Sequence, residues 1–274
     1  MLFKLELRRY TRTLFALITV SVALLMQGCF WESDDPAPVV PDADATGYYD
    51  TGTLSVDGGA VTDTNLLAMI SGNRIMMTSL ASSNTGTAAT LVYDGTMTIT
   101  KNDFTAEVTV YTDGENPVTA TMTGTITEGS QIKDGTLTGA GVGNGTFSLT
   151  YSDTNSQTAA ISRIITGANP LWQGSFNGST PSQHTFEVDS ANNYTHVDSP
   201  ANGGIFEFCN INGTIAPIAD TSLYSVDVTL SSCDITSVHL NYTGFAATTS
   251  LADTTLVYMA TESTKTYSVG GEYD

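Results

Sequence analysis

The chain has 274 residues, of which 28 are acidic and 9 basic, so its net charge is −19. A surface this acidic repels phosphate backbones and anionic headgroups, which excludes nucleic-acid binding and attachment to a membrane by charge alone. Apolar residues make up 41% of the sequence, enough for packed domains, and the three cysteines leave room for at most one disulfide once one of them is otherwise committed.

In chain order, the first element is an export signal. Lys4, Arg8, Arg9 and Arg12 form a basic start, Leu14 to Met26 form an apolar stretch of 13 residues, and Gly28 is the small residue that cleavage requires. The stretch is too short to span a bilayer comfortably, and no second apolar run of 18 residues follows it. Met26-Gln27-Gly28-Cys29 resembles the lipobox of bacterial lipoproteins, although Gln27 and Met26 stand where a small residue and Leu are usual. The resemblance implies cleavage after Gly28 and acylation of Cys29, so residues 1–28 are read as a signal peptide. Residues 29–274 then carry 5 basic and 27 acidic side chains, a net charge of −22. Attachment must come from the lipid, since several acyl chains anchor firmly where one is marginal.

Residues 29–46 read as a disordered tether, with Glu32, Asp34, Asp35, Asp42 and Asp44 set among Pro36, Pro38 and Pro41. Beyond it the pattern is strict alternation. Val118 to Thr127 places apolar residues on one face and threonines on the other. Phe104, Ala106, Val108 and Val110 do the same, as do Phe147, Leu149 and Tyr151, and later Tyr224, Val226, Val228 and Leu230. Period two with one wetted face predicts antiparallel strands of eight to ten residues. A cassette ending in Gly-Thr and an apolar residue recurs at Asp94-Gly95, Asp134-Gly135, Asn144-Gly145 and Asn212-Gly213. These dipeptides predict hairpin turns, whereas Gly124, inside an alternating run, predicts a bulge.

About eight strands are expected from Gly47 to Asp153, and seven or eight from Trp172 to Tyr273. The expected fold is therefore all-β, with a first domain at 47–154, a linker at 155–171 that has room for a short helix, and a second domain at 172–274. Closure into barrels removes the exposed edges of long threonine-rich strands. Two small up-and-down barrels of about eight strands each are thus expected, with β-sandwiches as the alternative. Cys209 and Cys233 remain as an even pair in an exported chain, closing a loop of about 25 residues, and are expected to form a disulfide in the second domain. Two thiols with no further ligand at zinc spacing make a metal site the weaker reading, and no cofactor is expected.

The chain resembles a loose group of Gram-negative lipoproteins that carry one or two small lipocalin-like β-barrels behind a lipidated cysteine and an acidic tether. The resemblance covers about 220 residues and rests on Trp172-Gln173-Gly174, on Cys209 followed by Asn212-Gly213-Thr214-Ile215, on Tyr224-Ser225-Val226 before Cys233, and on Tyr242-Thr243-Gly244-Phe245-Ala246. It implies an address and a fold more than a role. Phe30, in place of the Asp that retains such proteins at the inner membrane, implies sorting to the outer membrane.

Catalytic patterns are sparse. His184, His196 and His239 pair with no Ser, Cys or carboxylate at a catalytic spacing. Ser130-Gln131-Ile132-Lys133 has the Ser-x-x-Lys spacing of penicillin-recognising enzymes but sits among turn signals, without their companion motifs. Gly139 to Gly145 misses the dinucleotide fingerprint at Asn144 and reads as a hairpin loop near a barrel mouth. Asp42, Asp44, Gly47 and Asp50 echo a calcium loop that lacks its final carboxylate, because Thr53 stands there. The reading is a non-enzymatic, lipid-anchored outer-membrane protein with a structural or interaction role, whose partner is an envelope protein. The alternative is a carrier of a small apolar ligand inside a barrel. A third reading is an envelope hydrolase.

Overall fold

The computed structural model describes residues 41–57, 61–63, 65–83, 86–112, 116–127, 131–152, 171–176, 182–188, 193–198, 210–232, 240–248, 256–264 and 266–273. All its regular structure is β. The first half contains β1 (Gly47–Val56), the short β2 (Val61–Asp63), β3 (Leu66–Ser71), β4 (Arg74–Ser83), β5 (Gly86–Thr100), β6 (Asp103–Thr112), β7 (Val118–Thr127), β8 (Gln131–Gly139) and β9 (Gly143–Tyr151). From β3 onward each strand pairs antiparallel with the next, β9 pairs with β1, and β1 pairs with β3 at Tyr48↔Met69. Eight strands therefore close a ring, with β2 added against the end of β1.

The second half contains β10 (Leu171–Phe176), β11 (Ser182–Val188), β12 (Asn193–Asp198), β13 (Asn210–Pro217), β14 (Leu223–Ser231), β15 (Asn241–Thr248), β16 (Leu256–Glu262) and β17 (Ser268–Tyr273). Neighbours again pair antiparallel, and β17 returns to β10 at Trp172↔Tyr273, which closes a second ring of eight. The expected pair of up-and-down barrels is what the strands form, and neither half is a sandwich.

Alternation decides which side chains fill the first ring. Phe104, Ala106, Val108, Met122, Ile132, Leu137, Phe147 and Leu149 are buried in one cluster with Tyr49, Leu54, Ile75 and Met77. Their neighbours Thr105, Glu107, Thr121, Thr136 and Thr146 are exposed. An apolar inside and a hydroxylated outside is the reverse of a barrel whose outer wall faces lipid.

Two expectations need correction. The Asp-Gly and Asn-Gly cassettes are not hairpin turns: Asp94-Gly95 lies inside β5, Asp134-Gly135 inside β8, Asn144-Gly145 inside β9 and Asn212-Gly213 inside β13. The glycine is needed for contact with the next strand, since a Cβ on Gly95 would strike the Glu107 carbonyl oxygen. Asp134 takes a positive φ of 51° where the β8–β9 register slips between Ile132 and Gly135, so the dipeptide makes a bulge there. In the first ring, fully described hairpin turns fall at Gly72-Asn73, at Lys101-Asn102 and at 140–142. The bulge expected at Gly124 is present, as a register slip between Thr123 and Thr125.

The second correction concerns the end of the tether. Residues 42–45 are fixed on the first ring: Asp42 Oδ1 accepts the Lys101 backbone N–H at 2.6 Å, the Ala43 N–H donates to the Lys101 carbonyl at 2.6 Å, and Ala45 is buried. The Tyr49 hydroxyl donates to the Ala45 carbonyl at 2.8 Å. Four residues of an otherwise polar, proline-rich stretch thus find backbone and core partners that composition does not show.

Candidate functional site

Three features compete for a functional role: the ring interior, the outer face, and the junction between the rings. In the first ring the interior is occupied. Tyr49, Ile75, Met77, Met122 and Ile132 each expose 1% or less of their surface, so they pack against their neighbours with no water between. A lipocalin-type ligand space needs a lumen of several hundred Å³, and these side chains close it. Among the described residues of the second ring, Tyr224, Tyr242, Leu256, Val226 and Val228 are buried.

The outer face of the first ring is a hydroxyl lattice. Strand registers align Thr98 with Thr105, Thr105 with Thr123, Thr123 with Thr136, Thr136 with Thr146 and Thr146 with Ser55, one unbroken row across six strands. Neighbouring strands stand roughly 4.8 Å apart, close enough for cross-strand bonds such as Thr123 Oγ1 to Thr136 Oγ1 at 2.7 Å and Thr53 Oγ1 to Ser148 Oγ at 2.9 Å. Two open grooves crease this face. One, of about 330 Å³, lies along Glu107, Thr119, Thr121 and Thr138; the other, of about 510 Å³, lies along Thr53, Ser55, Asp134 and Thr146. No basic residue lines either groove, and Phe147 is the one aromatic residue lining the second, so the polar side chains offered are hydroxyls and carboxylates.

The junction is a second core. Tyr48, Leu67, Met69, Met76, Val92 and Tyr111 point out of the first ring and pack with Leu223, Phe245, Ala247, Val257 and Met259 of the second. At its edge lies a polar node. Arg74 grips Asp94 through Nε at 2.8 Å and Nη2 at 3.0 Å, and also reaches the Thr243 carbonyl at 2.9 Å and Thr261 Oγ1 at 3.0 Å. Thr261 Oγ1 donates to Asp94, and the Arg74 guanidinium stands 5.5 Å from the centroid of Phe245. The Tyr111 hydroxyl is buried at this node without a hydrogen-bond partner at full geometry; burial, then the Asp94 and Glu262 carboxylates, push its pKa above the phenol range. Asp94 shares its lone pairs with a guanidinium and a hydroxyl, which makes it a clasp between the strands.

Glu262 ends β16 and folds back over its own turn. It accepts the Thr264 N–H at 2.5 Å, the Thr264 hydroxyl at 2.8 Å, the Tyr267 N–H at 3.2 Å and the Thr266 N–H. Burial works to raise its pKa, but these donors outweigh it and hold the carboxyl below its usual range. This carboxylate is a turn former.

The residues singled out from sequence are scattered. Cys29, Cys209, Cys233, His239 and Ser130 lie outside the described residues. His184 pairs in register with Trp172, and His196 with Phe186, in adjacent strands of the second ring. Lys133 lies in a strand, where no helical face sets it beside residue 130. Residues 140–142 form the expected hairpin turn, with Gly141 and Gly143 at positive φ. Asp42 and Asp44 cap backbone N–H groups, Asp44 Oδ1 accepting that of Thr46 at 2.8 Å. The sequence reading missed the junction residues Arg74, Asp94, Thr243 and Thr261. A signal was available: Leu66 to Ile70 and Leu256 to Ala260 are runs of five buried residues without alternation, which marks strands covered on both faces.

No family model matches the chain, and no curated protein sequence matches it. Among solved structures, a Bacteroides fragilis chain provisionally named as an outer membrane protein is similar at 12% identity and a TM-score of 0.26, over 84% of this chain and 96% of that one. Two mutants of the vaccine antigen transferrin binding protein B from Haemophilus parasuis are similar at 12% and 11% identity, each with a TM-score of 0.26 over 78% of this chain. The overlap takes in 53% and 54% of those two chains, so this chain spans about half their length. Scores of this size bear on neither fold nor function, and the barrel assignment rests on the strand pairing itself.

Proposed function

We propose that the chain is a non-catalytic protein of the outer membrane, anchored by acyl chains on Cys29, whose two barrels present their outer surfaces to a partner in the cell envelope. The observation that carries this reading is the polarity of the first ring: a packed apolar interior behind a wall of exposed threonines supports surface contact over carriage of a ligand inside. The acidic character of the chain favours a neutral or basic partner surface. The bonds made by Asp94 and Glu262 support a structural use for both buried carboxylates, which is why a hydrolase is not preferred. The test is intact mass and palmitate labelling of the expressed protein beside a Cys29→Ala variant, with membrane fractionation of both. Acylated mass and outer-membrane recovery that vanish in the variant are expected; an unlabelled wild type in the soluble fraction would overturn the anchor.

A further inference from the structure

We infer that the chain is stabilised by salt: mobile cations of the surrounding medium, in place of basic side chains of its own, neutralise its carboxylate surface. Residues 29–274 carry 27 acidic and 5 basic side chains. The imbalance lies on the surface itself. Among the residues whose side chains are described, eight Asp and Glu are exposed, against two bases, Lys101 and Lys133. Arg74, the third described base, is spent on Asp94 at the junction.

The sheets set these charges opposite hydroxyls. Asp103 stands between Thr100 and Thr125, Glu107 between Thr96 and Thr121, and Asp227 between Thr214 and Thr243. All six of those positions are threonine. Opposite charges across a strand pair are the local relief open to a charged strand, and these three carboxylates do without it. A threonine hydroxyl hydrogen-bonds a carboxylate, as that of Thr125 does Asp103 at 3.1 Å, but leaves the negative charge whole. Charges dispersed in this way are neutralised by an ion atmosphere spread over the face.

Magnitudes say where the effect falls. Residues two strands apart are separated by roughly 10 Å, and residues four apart on one strand, such as Asp103 and Glu107, by roughly 13 Å. The Debye length is about 30 Å at 0.01 M salt, about 10 Å at 0.1 M and about 3 Å at 1 M. At the lowest of these each carboxylate feels the others on its ring, and by a few tenths molar it feels almost none. Folding packs the charges together and unfolding lets them separate, so screening favours the folded chain.

The experiment follows the thermal midpoint of the full chain in a nonionic detergent, from about 10 mM to about 1 M NaCl at neutral pH. A rise of about 5 °C or more is expected, most of it before about 0.3 M, where screening saturates. A midpoint that stays flat or falls over that range overturns the inference. One that climbs only at higher salt reflects exclusion of solute from the surface, and overturns it too. Choline chloride should match NaCl at equal ionic strength. Stabilisation by calcium chloride at about 1 mM, where sites on extracellular modules fill, would mean a bound ion and overturn the diffuse atmosphere.

The source of the repulsion is checked with a triple variant, Asp103→Asn, Glu107→Gln and Asp227→Asn, which removes three charges and keeps each side chain's shape. Its rise with salt should be smaller by roughly a quarter, since self-repulsion grows with the square of the net charge. A rise as steep as that of wild type overturns the assignment to surface carboxylates. If this variant does not fold, Glu107→Gln, Asp134→Asn and Asp220→Asn take its place, because Asp134 and Asp220 hold positive φ values of 51° and 59° that Asn tolerates.

Discussion

Arg74, at the start of β4, donates through Nη2 to the carbonyl oxygen of Thr243 in β15 at 2.9 Å, while the same guanidinium holds Asp94 in a two-point grip. One side chain of the first ring thus satisfies a backbone acceptor of the second. Arg74→Ala leaves the Asp94 carboxylate, with a side chain only 10% exposed, facing Thr261 alone. The expected loss is about 2 kcal/mol, the scale of a charged hydrogen-bonded pair broken in a partly buried site. Asp94→Asn should cost less, since it keeps acceptor and shape. Urea unfolding of the three proteins checks the order, and a loss for Arg74→Ala below about 0.5 kcal/mol would mean that water replaces the clasp.

Glu262 makes the stability depend on acid. Its folded-state carboxyl is held below the ordinary 4.5, so ionised Glu262 favours the folded chain. The sign follows from linkage: the contribution is complete above the unfolded value, falls away as pH drops through the folded value, and is absent below both. Glu262→Gln should therefore unfold at a lower temperature than wild type at pH 7, and the gap should narrow on acidification below 4.5. Thermal midpoints of both proteins between pH 7 and pH 3 test this, and a gap that stays constant across that range rules out the carboxylate as its source.

What the sequence made legible and what it hid have separate physical origins. Strands such as β6, β7, β9 and β14 have one wet face, so Phe104, Met122, Phe147 and Val226 announce themselves by alternation. Strands β3 and β16 are dry on both faces, and there the inner and outer apolar sets merge into one run. The turn signals failed for a related reason. Asp94-Gly95 suits a tight turn as a dipeptide, but what fixes its place is Glu107 on the next strand, a contact that local propensity does not contain. The Arg74–Thr243 bond joins residues 169 positions apart and depends on how two finished rings dock. No local pattern encodes that.

Gly244 makes another such contact, between β15 and β16 of the second ring. It pairs with Ala260, and a Cβ there would be driven into the carbonyl oxygen of Met259 and against the Cα of Ala260 at 2.6 Å. Backbone cannot rotate away as a side chain does, so Gly244→Ala should cost about 1–3 kcal/mol through forced separation of β15 and β16. Gly72→Ala is the contrast, since nothing lies within 4 Å of its Cβ and only the positive φ of 59° opposes it. That conformational cost is about 1 kcal/mol. Differential scanning calorimetry of both variants compares them, and equal losses would show that the Met259 contact relaxes.

Removing Met69 tests whether the two rings unfold together. Met69 points out of the first ring, is fully buried, and packs in the shared cluster with Met259 and Val257. Met69→Ala should remove about 2–5 kcal/mol. If the junction makes the rings cooperative, the loss lowers one common transition; two separated transitions, with only the first shifted, would mean that the rings are thermodynamically independent.

The pairing of β13 with β14 carries the case for a bond between Cys209 and Cys233. Asn210 faces Ser231 in register, and Ser232 follows at a positive φ of 56°. Cys209 is one residue before the first of these, and Cys233 two after the second. The ladder therefore sets Asn210 and Ser231, the paired residues nearest the two cysteines in sequence, side by side. In an oxidising compartment the bond should form, and the chain-entropy model rates a loop of this size at roughly 3 kcal/mol. Non-reducing peptide mapping should find the Cys209–Cys233 peptide, and reductant should lower the thermal midpoint of wild type but leave a Cys209→Ser/Cys233→Ser double variant unchanged. Two free thiols in the protein purified under oxidising conditions would overturn the disulfide.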